Sequence, residues 1–247
     1  MKLLVFDWIG KMAHFRKLDT NSSSLSYAFP SRTTIAGMIA GVLGYEKESY
    51  YELFSPDHCH IAVSIQTPIR KMTQTVNYLF VKSVKSDVNG VKGHTQIPVE
   101  FVLPGLGYNQ LVYRLYFWHE DQVISERLKD KLLKKASVYP PYMGISELLS
   151  TLQFVEEVPA QVQQAKQEKV RFSTVIPIHA IQARSLEINP SLRFVKEWMT
   201  RSFNQERAIV ETERYLMEVE NRITVVPTIP YYTVKYTDQS VDNLIMM

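Results

Sequence analysis

A short apolar helical stripe, placed between two stretches with the composition of strands, limits the fold more than any other feature of the sequence. Its apolar residues recur at the spacing i, i+3, i+4, i+7 and i+8: Ile35, Met38, Ile39, Val42 and Leu43. Pro30 and Ser31 precede the stripe and Gly44 follows it, as is typical of the start and end of a helix. The spacing predicts a helix of about three turns. We expect its Gly37 and Gly41, four residues apart, to pack on a sheet.

Runs of β-branched and aromatic residues surround this helix and predict strands. They lie at residues 2–9, 59–67, 72–81, 99–103, 111–118 and 151–158. A second amphipathic helix is predicted from Ile124 to Ala136. Asn89 followed by Gly90 favours a type I′ turn, so residues 81–99 are predicted to form a projecting β-arm. The order β, α, β, β, arm, β, α, β predicts an α+β fold of the ferredoxin-like or RRM type with an inserted β-hairpin.

The composition changes near residue 159, where a Gln/Lys-rich stretch resembles a linker. Strands are predicted after it at residues 170–181, 207–219 and 222–236. We therefore expect two domains, an RRM-like domain at 1–158 and a mostly β C-terminal lobe at 159–247.

Charge and cysteine content exclude several classes of protein. The 247 residues include 28 Lys+Arg and 25 Asp+Glu, and the net charge of +3 excludes a polycationic tail. The single cysteine, Cys59, cannot form an internal disulfide, which favours the reducing cytoplasm. Asp7 interrupts the apolar N-terminal run, and no run of 18 apolar residues exists, so neither a signal peptide nor a membrane partner is expected.

The sequence lacks the common catalytic fingerprints: a Walker loop, a dinucleotide-binding glycine pattern, a Gly-x-Ser-x-Gly elbow and a His-Glu-x-x-His helix. His58 and His60 would share one side of a strand, where a metal could bind both, but no third ligand is obvious nearby. We therefore interpret them as half-exposed strand histidines and expect no metal and no cofactor.

The region from Thr67 to His94 is both basic and aromatic. Its cations are Arg70, Lys71, Lys82, Lys85 and Lys92, against the single acid Asp87. Asn77 and Tyr78 lie between these cations. Cations neutralise phosphates, and tyrosine or asparagine can stack on or hydrogen-bond to bases of a single strand. The pattern indicates an RNA-binding surface that includes His94, and the alternative is a solvated arm with ordinary strand aromatics.

A second candidate site surrounds the start of the first helix. It combines Lys11, His14, Arg16, Lys17, Tyr27, Ser31, Arg32 and Thr33. The first helical turn contains no acidic residue, so its N–H groups, its hydroxyls and Arg32 could bind a phosphate. The alternative is that Ser31 simply caps the helix while Arg32 lies in solvent.

These stretches resemble the Cas-five family of the RAMP superfamily of CRISPR proteins. The resemblance begins with His14–Lys17 and continues through Ser26–Thr33 to Gly44. It returns at Arg70 with Gln74–Tyr78, at Tyr113–Tyr116, and at Pro140–Glu147, which is similar to the family's proline-tyrosine-glycine turn. The similarity covers about residues 1–158, and the His-Phe-Arg-Lys opening is most like the type I-B subtype.

The resemblance implies a non-catalytic subunit of a type I Cascade interference complex. Such subunits bind the 5′ handle of the crRNA and cap the filament of Cas-seven backbone subunits. They also adjoin the large Cascade subunit and reach target DNA through the complex. The β-arm at 81–99 would correspond to the family's thumb.

Two other functions remain open at this stage. RAMP relatives include metal-independent endoribonucleases that process repeat RNA, and His14, Tyr27, Lys92 and His94 are candidates for the proton transfers this needs. The third possibility is a general RNA-recognition module unrelated to CRISPR.

Overall fold

The computed structural model describes residues 1–20, 23–83, 88–220 and 223–247. The first part of the chain contains β1 (Lys2–Gly10), β2 (Phe15–Arg16), β3 (Ser26–Tyr27), α1 (Arg32–Leu43), β4 (Cys59–Ile65), β5 (Ile69–Leu79), β6 (His94–Pro104), β7 (Leu111–His119), α2 (Gln122–Leu133) and β8 (Ser150–Gln163). The second part contains β9 (Val170–Phe172), β10 (Ile176–Pro177), a 3-10 turn (Ile178–Ala180), β11 (Phe194–Phe203), β12 (Ile209–Glu218), β13 (Ile223–Val225), β14 (Tyr231–Lys235) and β15 (Val241–Leu244). No helix of these described ranges is long and apolar enough to span a membrane.

A six-stranded antiparallel sheet organises the fold in the order β15-β14-β8-β1-β7-β4. Side chains alternate between its faces because the period of a strand is two residues. Phe6 and Trp8 of β1 join a core with Ile35 and Ile39 of α1 and Leu128 of α2. Leu3, Val5, Tyr116, Val158 and Val234 form a second core on the opposite face.

The sheet curls until its two ends meet. The backbone N–H of Met247, beyond β15, donates to the carbonyl of Ile61 in β4 at 2.8 Å. The N–H of Val175 donates to the carbonyl of Val63 at 2.9 Å. The outer edge of β4 is therefore bonded to the C-terminal part of the chain. A mixed α and β fold with mostly strands was expected from the sequence and is confirmed.

The arm differs from its prediction in extent. The run predicted as a strand at 72–81 belongs to β5, which among the described residues pairs with β6 alone and is exposed along most of its length. Composition identifies a strand but not its partner, and the two runs pair with each other outside the main sheet. The ladder ends at Leu79 and His94, so Asn89 and Gly90 lie inside the connection 80–93 instead of joining paired residues directly.

The C-terminal part contributes to the main sheet and covers the first helix. The expected boundary at 158 lies inside β8, and β14 extends the same sheet by pairing with β8. The hairpin of β11 and β12, of which β11 was not predicted, packs against α1. Gly37 and Gly41 do not face the sheet as expected, because they line an open groove on the other side of α1.

Candidate nucleic-acid interface

The β-arm, defined as β5, β6 and the described residues 80–83 and 88–93 between them, has a two-stranded sheet of its own outside the main sheet. Asn77 and Tyr78 are exposed on β5, and the Tyr78 side chain is 44% accessible. His94 pairs with Leu79 where the ladder ends. Of the cations that the sequence predicted here, Arg70 is exposed and donates to the carbonyl of Pro104 at 3.2 Å. Lys82 Nζ lies 5.4 Å from the centre of the Phe80 ring, and Lys92 is exposed. Lys85 lies outside the described residues.

The root of the arm is held by a network of four charged side chains, Lys17, Lys71, Glu100 and Glu197. Lys71 Nζ is 3.0 Å from Glu100 Oε2 and 3.7 Å from Glu197 Oε1. Lys17 Nζ is 2.5 Å from Glu197 Oε2, and this carboxylate is only 4% exposed. The N–H of Ala28 also donates to Glu197 Oε1 at 3.2 Å. Lys17 and Lys71 were predicted to contact RNA, but their charges are already compensated inside the protein.

His14 and Tyr27, two further predicted contacts, are buried between the arm root and the main core. The ring nitrogens of His14 hydrogen-bond to the carbonyl of Glu100 at 2.7 Å and to Ser24 Oγ at 2.9 Å. Burial raises the pKa of Tyr27, whose ring lies under Lys17 at 5.3 Å. His14, only 3% exposed, offers no surface for RNA, whereas Tyr27, although 7% exposed, also lines the groove described below.

The start of α1 differs from both sequence interpretations. Ser31 Oγ accepts from the N–H of Thr34 at 3.2 Å and bonds to the Thr33 hydroxyl at 2.9 Å, so it caps the helix. Arg32 is neither a phosphate ligand nor solvated, because it is only 1% exposed. Its guanidinium donates to the carbonyls of Phe54 at 2.8 Å and Cys59 at 2.6 Å, and burial lowers its pKa. Arg32 was expected to be accessible at the start of the helix, but its side chain is buried in the protein.

An open groove with a volume of about 780 Å³ runs along the outer side of α1. We call it the tyrosine groove, because its lining includes Tyr45, Tyr50, Tyr51, Tyr139, Tyr142 and Phe203. Gly37 and Gly41 line it from α1, and the predicted contacts Arg16, Tyr27, Ser31 and Thr33 line it as well. Lys11 lies apart from these residues, where it donates to the carbonyl of Asn109 at 3.3 Å.

Sequence reasoning missed Glu197 and most of the groove tyrosines. Glu197 meets Lys17 across 180 positions of the chain, and no local pattern marks such a pair. One sequence motif could have indicated the groove. The segment Pro140–Glu147 resembles the proline-tyrosine-glycine turn, and its Tyr142 and Gly144 line the groove.

The two histidines considered for a metal do not lie on a common site. His58 is exposed and pairs with Glu120 at 2.5 Å, and His60 stacks on Trp118 with ring centres 5.0 Å apart. Among the described residues, no three histidine, cysteine or acidic side chains are arranged to hold a metal ion.

Comparison with solved structures identifies the fold. A CRISPR protein from Archaeoglobus fulgidus is similar over 100% of this chain and 99% of its own, with a TM-score of 0.61 and 12% sequence identity. A chain of a CRISPR RNA-guided surveillance complex is similar over 92% of this chain and 91% of its own, with a TM-score of 0.49 and 12% identity. A chain of the type III-B Cmr-beta complex bound to cognate target RNA and AMPPnP is similar over 89% and 86%, with a TM-score of 0.48 and 12% identity.

The first of these similarities shows that this chain shares its fold with a CRISPR protein over its whole length. At this sequence identity it shows the fold alone. No protein-family model and no curated protein sequence matches the chain.

Proposed function

We propose that this chain is a CRISPR-associated RAMP protein of the Cas-five family, most like type I-B, and a non-catalytic subunit of a Cascade complex. It binds the 5′ handle of crRNA and caps the Cas-seven filament beside the large subunit, and it meets target DNA through the complex in the cytoplasm. Support comes from the fold shared with a CRISPR protein and from the sequence motifs. The strand order β8-β1-β7-β4 with the helices between supports a ferredoxin-like RAMP domain.

The exposed β-arm is the observation that carries this proposal. A lone pair of strands is marginally stable in water. Beyond its root, where Ala13 and Ser24 bond to β6, the described part of the arm pairs with no other strand and would gain from a ligand that covers it. Its exposed residues are Asn77, Tyr78, Lys82 and Lys92, a set that fits a single RNA strand. The charge network at its root fixes the direction in which the arm leaves the body.

The dependence of RNA binding on salt tests the role of the arm. Each phosphate contact on a single strand adds about 0.7 to the slope of log affinity against log salt. Replacing Arg70, Lys82 and Lys85 with alanine should therefore weaken binding of a repeat-derived RNA and reduce the slope by roughly 2. Fluorescence anisotropy at several salt concentrations measures both quantities.

A matched control removes the same charge from α2 and its C-cap by changing Lys129, Lys131 and Lys134 to alanine, which is a good helix former. This variant should keep the wild-type slope. A slope that stays unchanged in the arm variant, or falls equally in both variants, would remove the arm from the phosphate-contacting surface.

The positions of the candidate proton-transfer groups support a non-catalytic role. Both ring nitrogens of His14 are hydrogen-bonded inside the protein, and the pKa of Tyr27 is raised by burial. His94 lies six residues from Glu100 along β6, a separation of about 20 Å at the usual rise of a strand. Because His14 contacts Glu100, these two histidines do not converge on one phosphate.

Incubation of the purified chain with repeat RNA tests this part of the proposal. We expect binding without cleavage, with or without divalent metal. Site-specific cleavage that leaves a 2′,3′-cyclic phosphate and disappears with His14→Ala, Tyr27→Ala or His94→Ala would establish a processing nuclease instead. Cleavage by a copurifying ribonuclease would be unaffected by all three substitutions.

A further inference from the structure

We infer that the tyrosine groove binds one unstacked nucleotide of the RNA, with its base placed among the tyrosine rings. The inference rests on the proposed function and adds a second contact site, separate from the β-arm. Three properties of the groove carry it: an open floor, aromatic walls and a set of hydroxyl and cationic groups.

The floor of the groove is open at Gly41 of α1, while Thr33, Thr34 and Met38 of the same helix line other parts of it. Gly37 and Gly41 are one helical turn apart and therefore lie on the same side of the helix. A Cβ atom at Gly41 would first meet Tyr139 Cβ, at 3.9 Å, so this position has room for a larger residue. Glycine weakens a helix relative to alanine, and α1 contains two of them. The helix is thus less stable at two positions that line the groove.

Aromatic rings form the walls. Tyr139 and Tyr142 are 56% and 45% exposed at the rim, and Leu149 beside them is 66% exposed. The Tyr50 hydroxyl oxygen lies 2.9 Å from the position that a Cβ of Gly37 would take. Rings that are exposed at a rim and reach over an open floor are suited to stacking on a base, since every base has an aromatic face.

Hydroxyl groups and cations provide the polar contacts. Thr200 lines the groove and is 4% exposed, yet its hydroxyl has no hydrogen-bond partner within the described part of the chain. Such a buried unpaired group costs stability unless a ligand satisfies it. Arg16, Lys47 and Arg207 line the same groove together with one acid, Glu46, and Arg207 pairs with Glu48 at 4.0 Å, so the lining keeps a net positive charge that is complementary to a phosphodiester. This chemistry favours a nucleotide over an apolar protein segment as the occupant.

Filling the groove from its floor tests the inference. Gly41→Leu introduces a better helix former whose side chain enters the groove, and Gly41→Ala is the control that leaves most of the space open. The probe is repeat-derived RNA with 2-aminopurine at successive handle positions, mixed with the full chain. We expect one position to be quenched by wild type and Gly41→Ala. With Gly41→Leu that quenching should be lost and affinity should fall about tenfold, while the arm's salt slope is retained.

Thr200→Val provides a second test, which distinguishes a contact with RNA from a purely structural role of Thr200. Removing an unpaired buried hydroxyl should leave the thermal midpoint unchanged or raise it, whereas affinity for the RNA should fall several-fold. If RNA binds with the arm's salt slope but no position is quenched, or Gly41→Leu leaves the quenching intact, the inference is wrong and the proposed function stands. Absence of any RNA binding by wild type would overturn both.

Discussion

Replacing Arg32 with alanine should reduce the stability of the fold and leave the proposed RNA-binding surface unchanged. The guanidinium is 1% exposed and donates to two buried carbonyls, those of Phe54 and Cys59. Within the described ranges, no carboxylate forms an ion pair with it. Alanine at this position therefore leaves two buried acceptors without donors and a cavity at the start of α1.

The expected cost follows from these two bonds. A hydrogen bond from a charged group contributes roughly 1.5 to 3 kcal/mol, so losing both removes about 3 to 6 kcal/mol. Burial of the cation opposes this stabilisation, as the lowered pKa of Arg32 indicates. We therefore expect the free energy of unfolding to fall by about 3 kcal/mol, near the lower end of the range.

Urea unfolding followed by circular dichroism measures the change, and RNA titration of the folded fraction measures the affinity. Arg16→Ala is the matched control, because Arg16 is exposed at the tyrosine groove. It should change stability by no more than about 0.5 kcal/mol and weaken RNA binding. If Arg32→Ala instead kept its stability and lost affinity about tenfold, a loss of about 1.4 kcal/mol, the guanidinium would have to reach the RNA.

Three further measurements test other parts of the structure. Gly107→Ala should lower the free energy of unfolding by about 1 to 2 kcal/mol, because of the positive φ at this position alone. Gly144→Ala should lower it several times more in the same urea experiment, because the new Cβ would lie 2.0 Å from the carbonyl oxygen of His14. Burial lowers the pKa of His60 in the folded protein below 6.5. As the pH falls, His60 is therefore protonated in the unfolded chain before it is protonated in the folded protein. The free energy of unfolding should therefore decrease as the pH drops through 6.5, and a His60→Gln variant with an unchanged pH profile would contradict this. Burial raises the pKa of Cys59 to about 12, so a thiol reagent should label it only at the rate of unfolding; faster labelling would mean that the thiol is accessible.

Local patterns were sufficient to predict the elements of the main sheet and its helices. The periodicity around Ile39 predicted α1, and the β-branched runs predicted β1, β4 and β7 at nearly their observed bounds. Such patterns could not identify strand partners, because a run with strand composition is the same whether it pairs in the core or in a projecting arm. For this reason β5 was predicted as a strand without its partner in the arm. No strand was predicted at the position of β11.

The candidate site was predictable where exposure follows residue type. Asn77, Tyr78 and Arg70 are exposed, although they lie on β5 and not in the arm predicted at 81–99. Arg32 and His14 do not follow this rule, because the groups that satisfy them are backbone carbonyls of distant segments. A sequence shows which side chains can donate hydrogen bonds but not which carbonyls the fold places beside them.

The charge network at the arm root has a consequence for how ionic strength acts on this molecule. Glu197 is almost completely shielded from water, so its attraction for Lys17 and Lys71 is weakly screened by dissolved ions. The exposed cations farther along the arm, such as Lys82, are fully within reach of those ions. Raising the salt concentration should therefore weaken the proposed contact with RNA long before it loosens the root of the arm, and the arm should keep its orientation when no RNA is bound.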